Sequence, residues 1–388
     1  MKKAYMFRIY PNKNQEVKMD RTISTCRHLY NDSLAERKKQ AELNRLKREF
    51  QVFPWGKTEW ISYVDQANDL SESKTSFQRE VHSQVLQNTL KRLDRTFKNF
   101  FNGFGYPRFK GRNRYNSFTY PQSGFELKEG KLNLSKIGSL KIVLHREMEG
   151  TIKICTVKKD VDQWYAIFTV EIERKIEKVP VATKIGIDVG LTSLLTLSNG
   201  EQIEPPKFLR SSEKRLAREQ IELSRKTLRS KNRNKQRLTV ARVHRTIRNQ
   251  RKDFAHKTSK QLVYKYDHIV FEDLQIQNMM QNHHLAKSIS DAGWYQLVSL
   301  TKSKAEYAGK VVELVNPRGT SQVCICGFPV PKDLSMRIHS CPQCSLVLGR
   351  DHVSAMVIES RSTAGIAGIE ACQSTPNRET MKQEAPTL

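Results

Sequence analysis

The chain has 388 residues, 67 of them Lys or Arg and 40 Asp or Glu, giving a formal charge of +27. Its 38% apolar content supplies real cores and excludes wholesale disorder. No run of about 18 apolar residues occurs, so no membrane-spanning helix is predicted. The basic N-terminus lacks an apolar core of signal-peptide length, which predicts a cytoplasmic protein. The length suits two or three domains. A surplus of positive charge on this scale calls for a polyanionic partner, and nucleic acid is the default.

In chain order, a short strand is expected around residues 5–9, followed by a mostly helical region over 11–110. Within it Val85, Leu86, Leu90, Leu93, Phe97 and Phe101 recur at helical spacing. Residues 103–114 then mix Gly, Pro, aromatics and cations. Aromatic faces beside cations stack on bases while neutralising phosphates, so Arg108 and Lys110 are candidate nucleic-acid contacts. From 117 to 172 the apolar period switches to two, which predicts a small antiparallel β-barrel over 111–179; residues 1–10 are expected to join it as its first strand. Residues 173–183, with Pro180, read as a linker.

Next come three apolar strands, two of them closing on an acid. KIGIDVG ends on Asp188, HIVFED on Glu272, and VVELV precedes the cysteine region, after which Asp351 opens a helix through Ala355 and Ile358. A carboxylate beside a buried strand costs desolvation energy unless a cation offsets it. Three such acids, each at the polar end of an apolar segment, suit shared divalent ions. Glu313, Asp273 and Asp291 read as structural. Between the first two strands lies a strongly basic segment: 210–260 carries 18 Lys or Arg against four acids. Val240, Val243, Ile247 and Phe254 keep helical spacing there, and Leu216 and Leu223 sit a heptad apart. Two long helices forming a hairpin over 207–265 are expected, interrupted at 230–234. Arg229, Lys231, Arg233, Lys235, Arg237, Arg245 and Arg248 are its candidate phosphate contacts.

Four of the seven cysteines form two pairs, Cys324 with Cys326 and Cys341 with Cys344. Their clustering points to metal rather than disulfides in a reducing compartment, and paired thiolates on short loops suit one structural Zn²⁺. The first pair is C-x-C, not the usual C-x-x-C. A tighter knuckle that binds normally, replacement of one thiol by His339, and reduced affinity all stay open. Cys26, Cys155 and Cys372 have no partner pattern. The last residues, 361–388, read as a flexible tail.

The segments IGIDVGLTSLLTLSNG, IVFEDLQIQNM and the Cys-rich insert leading into GRDHVSA resemble the three RuvC motifs of the TnpB (OrfB) family, relatives of the type V CRISPR effectors. KAYMFRIYPNKNQ, VLQNTLKRLDRTFKNFF, GYPRFKGR and SISDAGW resemble family segments too, so the likeness covers residues 1–358. It implies an RNase H-like nuclease core over 180–318 and 349–360, an inserted zinc ribbon over 319–348, and the N-terminal helical and barrel regions. It further implies RNA-guided cleavage of double-stranded DNA next to a short adjacent motif. The guide RNA would come from the transposon end, with one protein monomer per RNA, in a bacterial or archaeal nucleoid. Asp188, Glu272 and Asp351 would hold two Mg²⁺, and Gln87 and Thr119 would face the DNA of the adjacent motif. The family commonly has Asn-Ala two residues after the last acid, where this chain has Val353-Ser354. A nuclease-inactive, RNA-guided DNA-binding regulator is the main alternative; such relatives lose one or more acids, and this sequence keeps all three. A DNA-strand transferase on the same core is a third reading.

Overall fold

The computed structural model describes residues 1–50, 58–173, 176–333 and 335–362. The expected tail lies almost wholly outside the described residues, as does part of the linker. The chain divides into two compact units, Met1–Lys175 and Ile176–Leu388.

The first unit opens with strand β1 (Lys2–Tyr10) and helix α1 (Lys13–Glu49), which starts at a reciprocal cap: the Gln15 amide donates to the Asn12 side chain, and the Asn12 amide to the Gln15 side chain. Helices α2 (Tyr63–Glu72), α3 (Ser76–Arg79) and α4 (Ser83–Phe101) follow. The α4 stripe of Val85, Leu86, Leu90 and Leu93 is buried, and α4 packs on α1, as the helical spacing requires. Strands β2 (Ser117–Tyr120), β3 (Phe125–Lys128), β4 (Lys131–Leu134), β5 (Gly138–Val143), β6 (Thr151–Asp160) and β7 (Gln163–Glu171) complete the unit. With β1 they form one antiparallel sheet in the order β2-β6-β7-β1-β5-β4-β3. The first strand of the chain therefore lies between β5 and β7, far from it in sequence. Cys26 and Cys155 are core residues, both fully buried.

The second unit contains β8 (Lys184–Val189), β9 (Leu195–Leu197), β10 (Gln202–Ile203), α5 (Phe208–Arg225), α6 (Lys231–Lys265), β11 (His268–Glu272), α7 (Ile276–Met279), α8 (His283–Ala292), α9 (Trp294–Tyr307), β12 (Val311–Val315), β13 (Ile338–Ser340), β14 (Val347–Gly349) and α10 (Arg350–Ser360). Its main sheet runs β10-β9-β8-β11-β12, antiparallel up to β8 and parallel from β8 through β12. Both faces of the parallel part are covered, which is why these strands read as unbroken apolar runs. Ile185, Ile187, Ile269 and Phe271 pack with Ala255, Leu262, Trp294 and Leu297 from α6 and α9. The alternate residue Val270 packs on Ile358 of α10.

Helices α5 and α6 form the basic hairpin, joined by an apolar seam of Leu216, Val240, Val243 and Ile247 with Leu223 against it. The interruption differs from the expected one. It lies at residues 226–230, and the Ser230 side chain caps α6 by accepting from the Arg233 amide. Residues 231–234 are helical, the Ser230 cap satisfying a first-turn amide that would otherwise lack a partner. The root of the hairpin is held by Asp291 of α8, which accepts from the Leu209 amide at 3.1 Å and pairs with Arg251 at 2.7 Å. That is the structural role expected of Asp291. Glu313 likewise partners the buried ring of His268 at 3.1 Å.

Gly186 is where α10 meets the sheet. A Cβ built there would lie 2.2 Å from the Ala355 carbonyl and 2.6 Å from the Glu359 amide, both backbone atoms that cannot swing away. Gly186→Ala is therefore expected to push the helix off the strand and to cost at least the ~1–3 kcal/mol typical of overpacking. Thermal unfolding checks this; an unchanged melting temperature would contradict the close approach.

Candidate functional site

Strand periodicity and helix pitch bring the three acids together. Side chains alternate across a strand, so Asp188 lies on the same face as Gly186, and Glu272 on the same face as Val270. The parallel register pairs Gly186 with Val270 and Ile187 with Phe271, which makes Asp188 and Glu272 neighbours on adjacent strands. Their shared face is the one that α10 covers. From the contact at Gly186, Asp188 is two strand residues away, about 6.6 Å. Asp351 is four helical residues from Ala355, about 6 Å. The two steps are of similar length, and the charge of Asp351 acts on Asp188.

The electrostatics record that proximity. Burial, then the charges of Glu272 and Asp351, push the Asp188 carboxyl up from 3.8 to about 8, with Arg350 acting in opposition. Burial also raises the Glu272 carboxyl, opposed by a hydrogen bond from Thr320 and by the charge of Arg361. Arg350 Nε lies 3.2 Å from Asp351 Oδ1. His352, one residue further on, places Nε2 3.1 Å from the Ser198 carbonyl and so ties the start of α10 to the loop after β9. Val353 and Ser354 are both buried, and the Ser354 hydroxyl donates to the Arg350 carbonyl at 3.1 Å.

Among the described residues, the group of His, Cys, Asp and Glu side chains whose ligand atoms all lie within 4.8 Å of one another is Cys324, Cys326, Cys341 and Cys344. The three acids are not such a group. Carboxylates that clamp two ions from different sides need no mutual contact of that kind. The cysteine sulfurs pair at 3.6 Å (Cys324 with Cys344) and 3.7 Å (Cys326 with Cys341). Four thiolates around zinc at 2.3 Å stand about 3.8 Å apart, so the spacing fits a tetrahedral site. His339 is buried and faces Lys332 Nζ at 2.5 Å, outside the four-cysteine group. Of the outcomes left open by the sequence, the four-thiol set is the one whose ligand atoms converge. The shortened knuckle keeps the backbone frame of the longer one. In the second, the Ser345 amide donates to the Cys341 carbonyl and the Cys341 amide to Leu346; in the first, the Gly327 amide donates to Cys324 and the Cys324 amide to Phe328. Both turns close on a residue with positive φ, Gly327 at 86° and Ser345 at 57°. Burial pushes the Cys324 thiol up to about 12. Against burial, which would raise it, the amides of Cys344 and Gln343 help bring the Cys341 thiol down to about 7.

The expected nucleic-acid contacts divide. Arg108, Arg229, Lys231, Lys235, Arg237, Arg248 and Gln87 are exposed, and Lys110 and Arg245 are half-buried. Lys110 exchanges backbone hydrogen bonds with the Asn31 side chain. Arg233 donates to the carbonyls of Leu223 at 2.7 Å and Lys226 at 3.0 Å, so it closes the turn of the hairpin. Thr119, on the edge strand β2, is 8% exposed and bonded to Arg92 at 2.7 Å and Thr156 at 2.9 Å. Thr320, Arg350 and Arg361 were not identified from the sequence. Only Arg350, next to an expected acid, carried a local signal.

Three family descriptions match the chain: "Probable transposase" over residues 167–283, "Cas12f1-like, TNB domain" over 294–358, and "Helix-turn-helix domain" over 1–45. Residues 1–45 here form a strand and part of one long helix. A protein of Streptomyces pristinaespiralis is 34% identical over 99% of this chain and 96% of its own length. The InsQ protein of Escherichia coli K12 is 32% identical over 84% and 83%. Both bear the name "Putative RNA-guided DNA endonuclease". Among solved structures, a Cas12f1–sgRNA–target DNA complex aligns over 93% of this chain and 99% of its own at 14% identity and a TM-score of 0.36.

One consequence concerns pH. The folded chain without a bound cation keeps a proton on Asp188 up to about pH 8, whereas the unfolded chain releases it near 3.8. Over that interval the folded state binds more protons, so its stability is full below about 4 and falls as pH rises toward 8. Asp188→Asn is expected to flatten this decline in melting curves recorded in chelator. A decline of equal slope in the variant would contradict the placement of Asp188.

Proposed function

Because the chain belongs to the TnpB (OrfB) family of insertion-sequence-encoded RNA-guided nucleases, we propose that it is an RNA-guided DNA endonuclease. Its hydrolytic centre is Asp188, Glu272 and Asp351. The observation that supports this reading is the register that puts Asp188 and Glu272 on adjacent strands, with the charge of Asp351 acting on Asp188. The sheet order, antiparallel then parallel with a helix laid across the acid-bearing face, supports an RNase H-like core of the RuvC type. A hard cation with a preference for oxygen fits this donor set, and the three acids would hold Mg²⁺. When bound, a pair of such ions supplies an activated water and neutralises the departing 3′ oxygen of the phosphodiester. The protein's part is to hold the acids on packed elements, to keep their charge from being diluted by water, and to place Arg350 beside Asp351.

The basic surface supports an RNA-and-DNA partner. Exposed cations on the α5–α6 hairpin neutralise backbone phosphates, while base pairing by the guide supplies sequence specificity. The guide derives from the transposon end and one protein binds one RNA; the target is double-stranded DNA beside a short motif, cut on both strands by the one centre. Residues 1–10 and 111–179 serve as the wedge-like barrel and 11–110 as the recognition region, where Gln87 is the exposed candidate for reading the motif. The nuclease core spans 180–318 and 349–360. Thr119 is the second candidate for reading the motif, its hydroxyl held by Arg92. The alternative of a nuclease-inactive regulator finds no lost acid to support it.

Residues 319–348 would be a ribbon fastened by one zinc on Cys324, Cys326, Cys341 and Cys344. A closed four-thiolate site leaves no position for water, so the metal there is structural.

Recombinant protein is expected to co-purify with one discrete RNA and to cut matching DNA, and Asp188→Ala to keep the RNA while losing cleavage. Cutting by the variant, measured as cleaved plasmid, would remove the metal-site assignment. Elemental analysis is expected to return about one zinc per chain; a value near zero would mean that the shortened knuckle does not bind.

A further inference from the structure

Glu272, half-buried like the other two acids, sits at the end of β11, and the strand alone does not fix its carboxylate. A glutamate has one more rotatable bond than an aspartate, so its oxygen atoms sweep a wider arc unless something holds them. In this fold the holder comes from 48 residues away: the Thr320 hydroxyl donates to Glu272 Oε1 in a short contact. Thr320 is 5% exposed, and its other neighbour, the Pro317 carbonyl, lies at 3.1 Å. One hydroxyl carries one proton, and the closer carboxylate takes it.

The loop that presents Thr320 is itself held. Arg361, at the C-terminal end of α10, donates through Nη1 to the carbonyls of Asn316 at 2.8 Å and Arg318 at 2.9 Å. The Arg318 amide donates to the Asn316 side chain at 2.9 Å, and the Gln322 amide to the Gly319 carbonyl at 3.1 Å. Beyond the loop the chain enters the first cysteine knuckle at Cys324. The helix that carries Asp351 at one end thus clamps, with its other end, the loop that holds Glu272.

We propose that Thr320 is a positioning residue for metal binding, fixing the Glu272 carboxylate in the orientation that a divalent cation requires. The proposal rests on the reading of Glu272 as a ligand. Partners of ligating carboxylates typically contribute 10–100-fold in metal affinity. A purely structural threonine would move stability and leave affinity alone.

The test is Mn²⁺ binding to the full-length, RNA-free protein, followed by electron paramagnetic resonance, for Thr320→Val, Thr320→Ala, Thr320→Ser and Glu272→Ala. Melting curves for each variant establish that it is folded. Thr320→Val keeps the volume and removes the donor; affinity is expected to fall by about 10–100-fold, as it is for Thr320→Ala, while Thr320→Ser keeps the unaltered value. In the RNA-loaded complex, the Mg²⁺ concentration for half-maximal cleavage is expected to rise in step, with KM for DNA unchanged. Weakened binding in Glu272→Ala with normal binding in Thr320→Val and Thr320→Ala overturns the role of Thr320 alone. Normal binding in Glu272→Ala overturns the ligand assignment beneath it.

Discussion

The second unit depends on one close approach, the seating of α10 against β8 at Gly186. A side chain at that point would meet the carbonyl of Ala355, so the absence of a Cβ sets the distance between helix and sheet. Everything at the acid centre is measured from there. Two residues along the strand lead to Asp188, one turn back along the helix leads to Asp351, and the parallel neighbour of Asp188 is Glu272. Burial first, and then the charges of Glu272 and Asp351, hold the Asp188 carboxyl far above the usual carboxylate range. The cost of that crowding is what a divalent cation would relieve.

Much of this was legible in the sequence. An apolar run closing on an acid signals a buried strand with a polar end, and Asp188 and Glu272 lie where that pattern put them. The apolar seam of the hairpin follows from spacing that survives amid the cations. The four cysteines converge as their pairing implied. These features share a property: each is written in residues close together in the chain, or in a repeated period.

What was not legible arises from distant parts of the chain. Residues 1–10 were expected to join the strands of 111–179, but no local signal gives their place between β5 and β7, since that depends on ladders between residues more than a hundred positions apart. Arg233 looked like one more phosphate contact, but its guanidinium closes the turn between two helices. Thr119 looked like a polar strand position, and Arg92 occupies it from the neighbouring helix. The hairpin break was misplaced by a few residues because a polar, Asn-rich stretch resembles a loop, while the Ser230 cap makes it a helix start. Thr320 gave no sign at all, since a threonine becomes informative only when its partner is known.

The central claim is that the strand ends of β8 and β11 and the start of α10 form a single cation site. The most direct measurement is anomalous diffraction from crystals of the full-length protein grown with Mn²⁺, recorded at the manganese edge. The account expects peaks bounded by the carboxylates of Asp188, Glu272 and Asp351. Full occupancy elsewhere with no peak among these three would contradict it.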